Sequence, residues 1–241
     1  MLLVAKLALA PVLLPQAVWL RRTAPRLPEP PGPRTGVAGT GPPQLRLLVV
    51  GDSSAAGVGV ADQSQALALP LALALAQRLD GAVAWQLIAQ TGVNTAQARA
   101  LVALSAVPPV DVVVTALGVN DVSSQVTADE FVAQTAQLWS DLQRRSGARW
   151  AVLSGLPPMH MLTAVPHPLR WYLGRYASAL DAAVREWAKR AGLGFCPLRW
   201  TSDPAFLAPD GFHPGPALYP QWAQRLADLV MQGRQQWATA Q

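Results

Sequence analysis

The stretch "LRLLVVGDSSAAGVGV", residues 45–60, constrains the chain more than any other. Leu47, Leu48, Val49 and Val50 are apolar at consecutive positions, the pattern of a parallel strand buried on both faces rather than of a one-sided strand. The run stops at Gly51-Asp52-Ser53. In open α/β sheets functional side chains collect beyond the carboxyl ends of such strands, so the Ser53 hydroxyl falls where a nucleophile is useful. The competing reading is structural, with Ser53 and Ser54 capping a helix. Small residues at Ala55, Ala56, Gly57 and Gly59 let the following backbone pass close to the site.

A serine nucleophile needs a base, an acid to orient it, and donors for an oxyanion. In "APDGFHPG", Asp210 and His213 stand three residues apart on one Pro/Gly-rich turn. There the carboxylate can accept from imidazole Nδ1–H and leave Nε2 free for the Ser53 proton. The bland alternative makes Asp210 the cap of a helix starting near Pro216, and His213 a polar loop residue. A second buried run, "VDVVVTALGVNDV", ends in Gly118-Val119-Asn120-Asp121. The Asn120 amide can donate to a tetrahedral oxygen without carrying charge, a contact worth roughly 3 kcal/mol of barrier in comparable sites; Gly and Asn-Asp are also ordinary turn residues. Gly92 in "AQTGVNTAQA" offers an unhindered backbone N–H.

Together these four blocks resemble the SGNH hydrolases, also called GDSL-type esterases and lipases, over roughly residues 45–231. The resemblance implies that Ser53 is the nucleophile, that Asp210 and His213 complete a triad, and that Gly92 and Asn120 join the Ser53 N–H in an oxyanion hole. It implies a carboxylic ester hydrolase that works through an acyl-enzyme and needs neither cofactor nor metal. One departure is Ser54, where the family usually has leucine.

Apolar runs at 45–50, 83–89, 111–116, 149–154 and 194–198 alternate with helical segments near 65–79, 95–104, 128–145, 169–191 and 217–235. Such alternation predicts α/β architecture. The expected form is a three-layer α/β/α sandwich around a five-stranded, mostly parallel, flavodoxin-like sheet. The connection "GLPPMHMLTAVPHPLRWYLG" is rich in proline and apolar side chains. It offers His160, Met161 and Trp171 as walls for an acyl chain, unless those side chains merely pin the loop to the domain.

Residues 1–44 carry Lys6, Arg21, Arg22, Arg26 and Arg34 against Glu29 alone, whereas the rest of the chain is nearly neutral. A neutral domain argues against a nucleic-acid partner. The organisation expected is an apolar membrane-associating segment (1–20), an Arg/Pro-rich linker (21–44) and a hydrolase domain (45–241). Pro11 and Pro15 interrupt the apolar segment, which is a cleaved signal, a spanning anchor or an interfacial anchor. Arginines on the domain side favour membrane contact through residues 1–26 with a cytoplasmic domain, a periplasmic domain behind a signal anchor being the alternative. The single cysteine, Cys196, excludes an internal disulfide. The expected partner is a small-molecule or lipid-like ester with a medium-length acyl chain; a lysophospholipid is a further candidate. Two other classes stay open on residues alone: a metal-dependent phosphoesterase using Asp52, Asn120, Asp121 and His213, and a membrane-tethered binding module that has lost its chemistry.

Overall fold

The computed structural model describes residues 2–201 and 203–238. Six strands form one sheet: β1 (Thr35–Ala38), β2 (Pro43–Gly51), β3 (Ala82–Ala89), β4 (Val112–Ala116), β5 (Trp150–Ser154) and β6 (Gly194–Cys196), in the order β1-β3-β2-β4-β5-β6. Strands β2 to β6 run parallel and reproduce the flavodoxin-like order. The sheet has six strands rather than the five expected. The extra one, β1, pairs antiparallel with β3 at the sheet edge and lies in the stretch read as linker. Its sequence, Thr-Gly-Val-Ala, has no apolar run; pairing with an open edge supplies the strand.

Alternation along β2 assigns the two faces. Leu47 and Val49 pack with helices α3 (Ala68–Leu79) and α8 (Leu218–Ala238), while Leu48 and Val50 pack with α4 (Thr95–Leu104) and α6 (Ala128–Ser146). The consecutive apolar positions of this strand therefore serve two cores. A third cluster gathers around α7 (Leu169–Arg190), where Leu9, Leu13, Ala17 and Leu20 of the N-terminal helix α1 (Leu2–Thr23) join it. Helix α1 runs unbroken through Pro11 and Pro15, both exposed on its outward side.

The chain between α1 and β2 is fastened to the loops beyond the carboxyl ends of the strands. Glu29 Oε1 accepts from the Thr91 backbone N–H at 2.6 Å and its hydroxyl at 2.7 Å, and Arg34, paired with Glu29, donates to Ala89 O at 2.7 Å. Gln63 donates to Ala56 O and Pro30 O, and its own N–H to Pro31 O. The residues read as linker are thus ordered by the domain they precede.

Candidate active site

Ser53 follows β2 directly and opens the short helix α2 (Ser53–Ala56). Asp52 is its N-cap, with Oδ1 accepting from the Ser54 N–H at 2.9 Å, so neither serine hydroxyl is spent on capping. Gly59, with φ +108, lies so close to the His213 turn that a Cβ would stand 2.3 Å from Pro214 O. Glycine at this position lets the two turns meet. Tyr219 of α8 donates to Ser54 O at 2.9 Å, and Trp222 one turn on donates to Ser154 Oγ at 3.2 Å, tying α8 to the Ser53 turn and to the end of β5.

The meeting places His213 Nε2 3.0 Å from Ser53 Oγ and His213 Nδ1 2.6 Å from Asp210 Oδ2. With Nδ1–H donating to the carboxylate, Nε2 is left as the acceptor for the serine proton. Asp210 Oδ1 also accepts the backbone N–H groups of Phe212 and His213, both at 3.0 Å. The carboxylate organises its own turn rather than capping α8. Burial pushes the Asp210 carboxyl up, but the bonds from the His213 ring and the two N–H groups outweigh it and hold the group below the ordinary carboxylate range.

Asn120 lies in the first turn of α5 (Val119–Ser123), which follows β4. One of its amide hydrogens goes to Val93 O at 3.0 Å, leaving the other free. Buried Asp121 accepts from Thr95 N–H and from its hydroxyl at 2.9 Å. These bonds stitch the loop after β3, where Gly92 sits at φ +83, to the end of β4 across the end of β2. Burial raises the carboxyl of Asp121, and it pushes that of Asp52 up to about 7 against the bonds from the backbone and side chain of Ser54 and from its own backbone N–H, with Asp121's charge adding to the rise.

Beside Ser53 and His213 an apolar cavity of about 60 Å³ extends over the ends of β4, β5 and β6, with Leu117, Met161, Leu162, Leu198, Phe206 and Trp222 in its walls. Of the three loop residues expected there, Met161 lines it. His160 and Trp171 do not: both are exposed, and His160 packs over Gly174 of α7. The loop's short helical turn (Met159–Met161) sends adjacent side chains to opposite sides, which its composition does not reveal.

A model of the GDSL-like lipase/acylhydrolase family matches residues 49–221, most of the chain. The chain belongs to this family, the SGNH hydrolases. It is therefore a hydrolase acting on ester bonds. Among solved structures it is similar to the psychrotrophic esterase EstA from a Pseudoalteromonas species, with 15% identity over 80% of this chain and 100% of that one and a TM-score of 0.60. The extracellular lipase of Streptomyces rimosus (18%, 77% and 99%, 0.57) and the lipase/acylhydrolase of Enterococcus faecalis (17%, 79% and 97%, 0.57) share the fold. No curated protein sequence is significantly similar to the chain.

Within this SGNH hydrolase the structure brings Ser53, His213 and Asp210 into hydrogen-bond contact and joins Asn120 to the Gly92 loop. The metal reading finds no matching arrangement: no three His, Cys, Asp or Glu side chains gather at a cation site among the described residues. Residues missed by sequence reasoning are Tyr219 and Trp222, whose spacing on α8 put them on one helix face, and Glu29, whose place in a Pro-rich stretch gave no sign of its contact with Thr91.

Proposed function

We propose that the protein is a serine carboxylesterase for esters of hydrocarbon acids, working through an acyl-enzyme on Ser53. The observation that carries this reading is the unbroken chain Asp210–His213–Ser53 opening onto an apolar cavity. Ser53 Oγ attacks the ester carbonyl as His213 Nε2 takes its proton. The oxyanion rests on the backbone N–H groups of Ser53 and Gly92 and the free Asn120 amide hydrogen. His213 then protonates the leaving alkoxide as the C–O bond breaks, and water repeats the sequence to release the acid. Asp210 stays ionised throughout, holding the imidazole and stabilising its cation.

The cavity's apolar lining favours a short to medium acyl chain over a sugar-borne acetyl group; a lysophospholipid with such a chain is a further candidate. Residues 1–20 act as the membrane-associating segment of a cytoplasmic hydrolase domain. Helix Val4–Thr23 is long and apolar enough to cross a bilayer, with a mean hydropathy of 1.3. Docked along α7, however, it suits a position in the lipid boundary, with protein on one side and hydrocarbon on the other.

Labelling with a fluorophosphonate tests the nucleophile. The phosphonyl group is expected on the peptide containing Ser53, with labelling and hydrolysis both abolished in Ser53→Ala; a label elsewhere, or none on folded protein, overturns the mechanism. A series of p-nitrophenyl esters then tests the acyl preference, and activity confined to acetyl esters would contradict it.

A further inference from the structure

A second apolar space reaches the same histidine from another direction. Between α1 and α7 runs a groove of about 260 Å³, with Leu20 and Ala24 on one side, Leu169 and Leu173 on the other, and Asp210, Phe212 and His213 also in its walls. It touches His213 but not Ser53, whereas the smaller cavity touches both. Phe212 stands between the two spaces, its ring 5.1 Å from the imidazole and edge-on to it.

The wall formed by α1 is held in place. Gln16, one of the few polar residues in that helix, donates to His167 O at 2.6 Å and accepts from the Leu169 N–H at 3.0 Å, and Leu13 is buried against the domain. On its outward face Val4, Leu7, Leu14 and Trp19 are each more than half exposed. A helix apolar all round is expected to have apolar surroundings all round. The domain covers one side of α1, and the side left open continues the groove's hydrocarbon lining to the surface. Arg21 at the groove and its neighbour Arg22 set positive charge at the end of that apolar face, where anionic headgroups would lie.

Covalent chemistry divides the two spaces between the two halves of an ester. The acyl carbon becomes bonded to Ser53 Oγ, so its chain must occupy the cavity that contains Ser53. The other half leaves on the oxygen that receives the His213 proton, and its chain can extend into the space that His213 borders and Ser53 does not. We propose that the groove between α1 and α7 binds the hydrocarbon of the ester's alcohol half, and that it is filled from a lipid surface on which α1 lies. The preferred substrate is then an ester with hydrocarbon on both sides of the scissile bond rather than a single-chain lysolipid, whose leaving group is polar. The assignment rests on the acyl-enzyme reading of Ser53 and His213.

The test uses the full chain in nonionic micelles with two ester series: octanoates of ethanol, octanol and dodecanol, and ethyl esters of acetic, butanoic and octanoic acids. Released acid is titrated to give kcat/KM, which covers every step up to departure of the alcohol. For the parent, kcat/KM should rise about tenfold or more from ethyl to dodecyl octanoate. Leu20→Trp and Leu173→Trp, which wedge the groove, should each remove most of that rise while the ratios within the ethyl series persist. Micellar partition of a given ester is common to parent and variant, so it cancels in the comparison. Parent kinetics indifferent to alcohol length, or alcohol dependence retained in both tryptophan variants, overturns the proposal. If a tryptophan variant does not fold, Leu20→Ala and Leu173→Ala take its place; they widen the groove and should move the optimum toward branched alcohols, and an unmoved optimum overturns it equally. Indifference to alcohol length with Ser53 still labelled by fluorophosphonate removes the groove assignment alone, whereas an unlabelled Ser53 removes the mechanism beneath it.

Discussion

Two aspartates open turns of similar construction, one beside Ser53 and one beside His213, and the protein treats them in opposite ways. Asp52 and Asp210 are 2% and 6% exposed, and each accepts the backbone N–H two residues on, from Ser54 and from Phe212. Asp52 gains no further partner of opposite charge and faces Asp121; burial raises it to about 7. Asp210 adds the His213 N–H and the imidazole, and these pull it below the ordinary range despite burial. Asp52 is the more deeply buried of the two and lies near the charge of Asp121, whereas Asp210 is paired with the His213 ring; these differences set the two carboxyls moving in opposite directions. That difference separates a carboxyl that shapes a turn from one that holds the His213 ring.

The largest effect expected from breaking this contrast is at Asp210. Asp210→Asn should lower kcat by about 10⁴-fold, because the amide no longer favours the tautomer with Nε2 free. KM should change far less, since the loss is in the transition state. Steady-state kinetics on a short-chain ester measures both, and a loss below tenfold would deny Asp210 its orienting role. Next comes Asn120→Ala, expected to cost about 10²–10³ in kcat through the missing oxyanion donor, with fluorophosphonate labelling slowed in parallel.

Asp52→Asn should leave kcat within about tenfold but alter the dependence of stability on pH. In the folded protein Asp52 holds its proton more tightly than its ordinary value of 3.8 allows in the unfolded chain. The folded state therefore binds the extra proton between about pH 4 and 7, and stability falls as pH rises through that window, by about 1.4 kcal/mol for each tenfold difference in proton affinity. Urea midpoints should fall less steeply from pH 4 to 7 in Asp52→Asn than in the parent. For Asp210 the sign reverses: its depressed value gives stability that is present above its ordinary 3.8 and lost as pH drops through the lower folded value. Asp210→Asn should therefore lose less stability on acidification below about pH 4. Parallel midpoint curves for parent and both variants would erase the distinction between the two carboxyls.

The smallest effect is expected at Glu29, whose bonds to Thr91 tether the residue before Gly92. Glu29→Gln keeps one acceptor and should lower kcat by only about two- to fivefold, in line with a modest loss at one partly exposed hydrogen bond.

The five parallel strands were legible because buried runs such as 47–50 and 112–116 leave no polar face for another arrangement. Ser53, Asp210 and His213 were legible as local strings whose spacing limits their geometry. Strand β1 was not, since Thr35–Ala38 is a strand only by virtue of the β3 edge and the Glu29–Arg34 fastening beside it. Met161 was separated from His160 by the direction of one short helical turn and from Trp171 by the packing of α7, and nothing in a Pro-rich apolar loop encodes which way either side chain points.

By itself, then, the sequence determined which residues end the strands and which chemical groups stand there, because hydrophobic runs and short motifs act over a few residues. Tertiary structure alone decided the distance from Ser53 to His213, the opposite shifts of two similar aspartates, and the placement of α1 against α7 beside His213. Those depend on contacts between segments as much as 165 positions apart, made by close approach at Gly59, by bonds from Tyr219 and by burial, and no local pattern carries them.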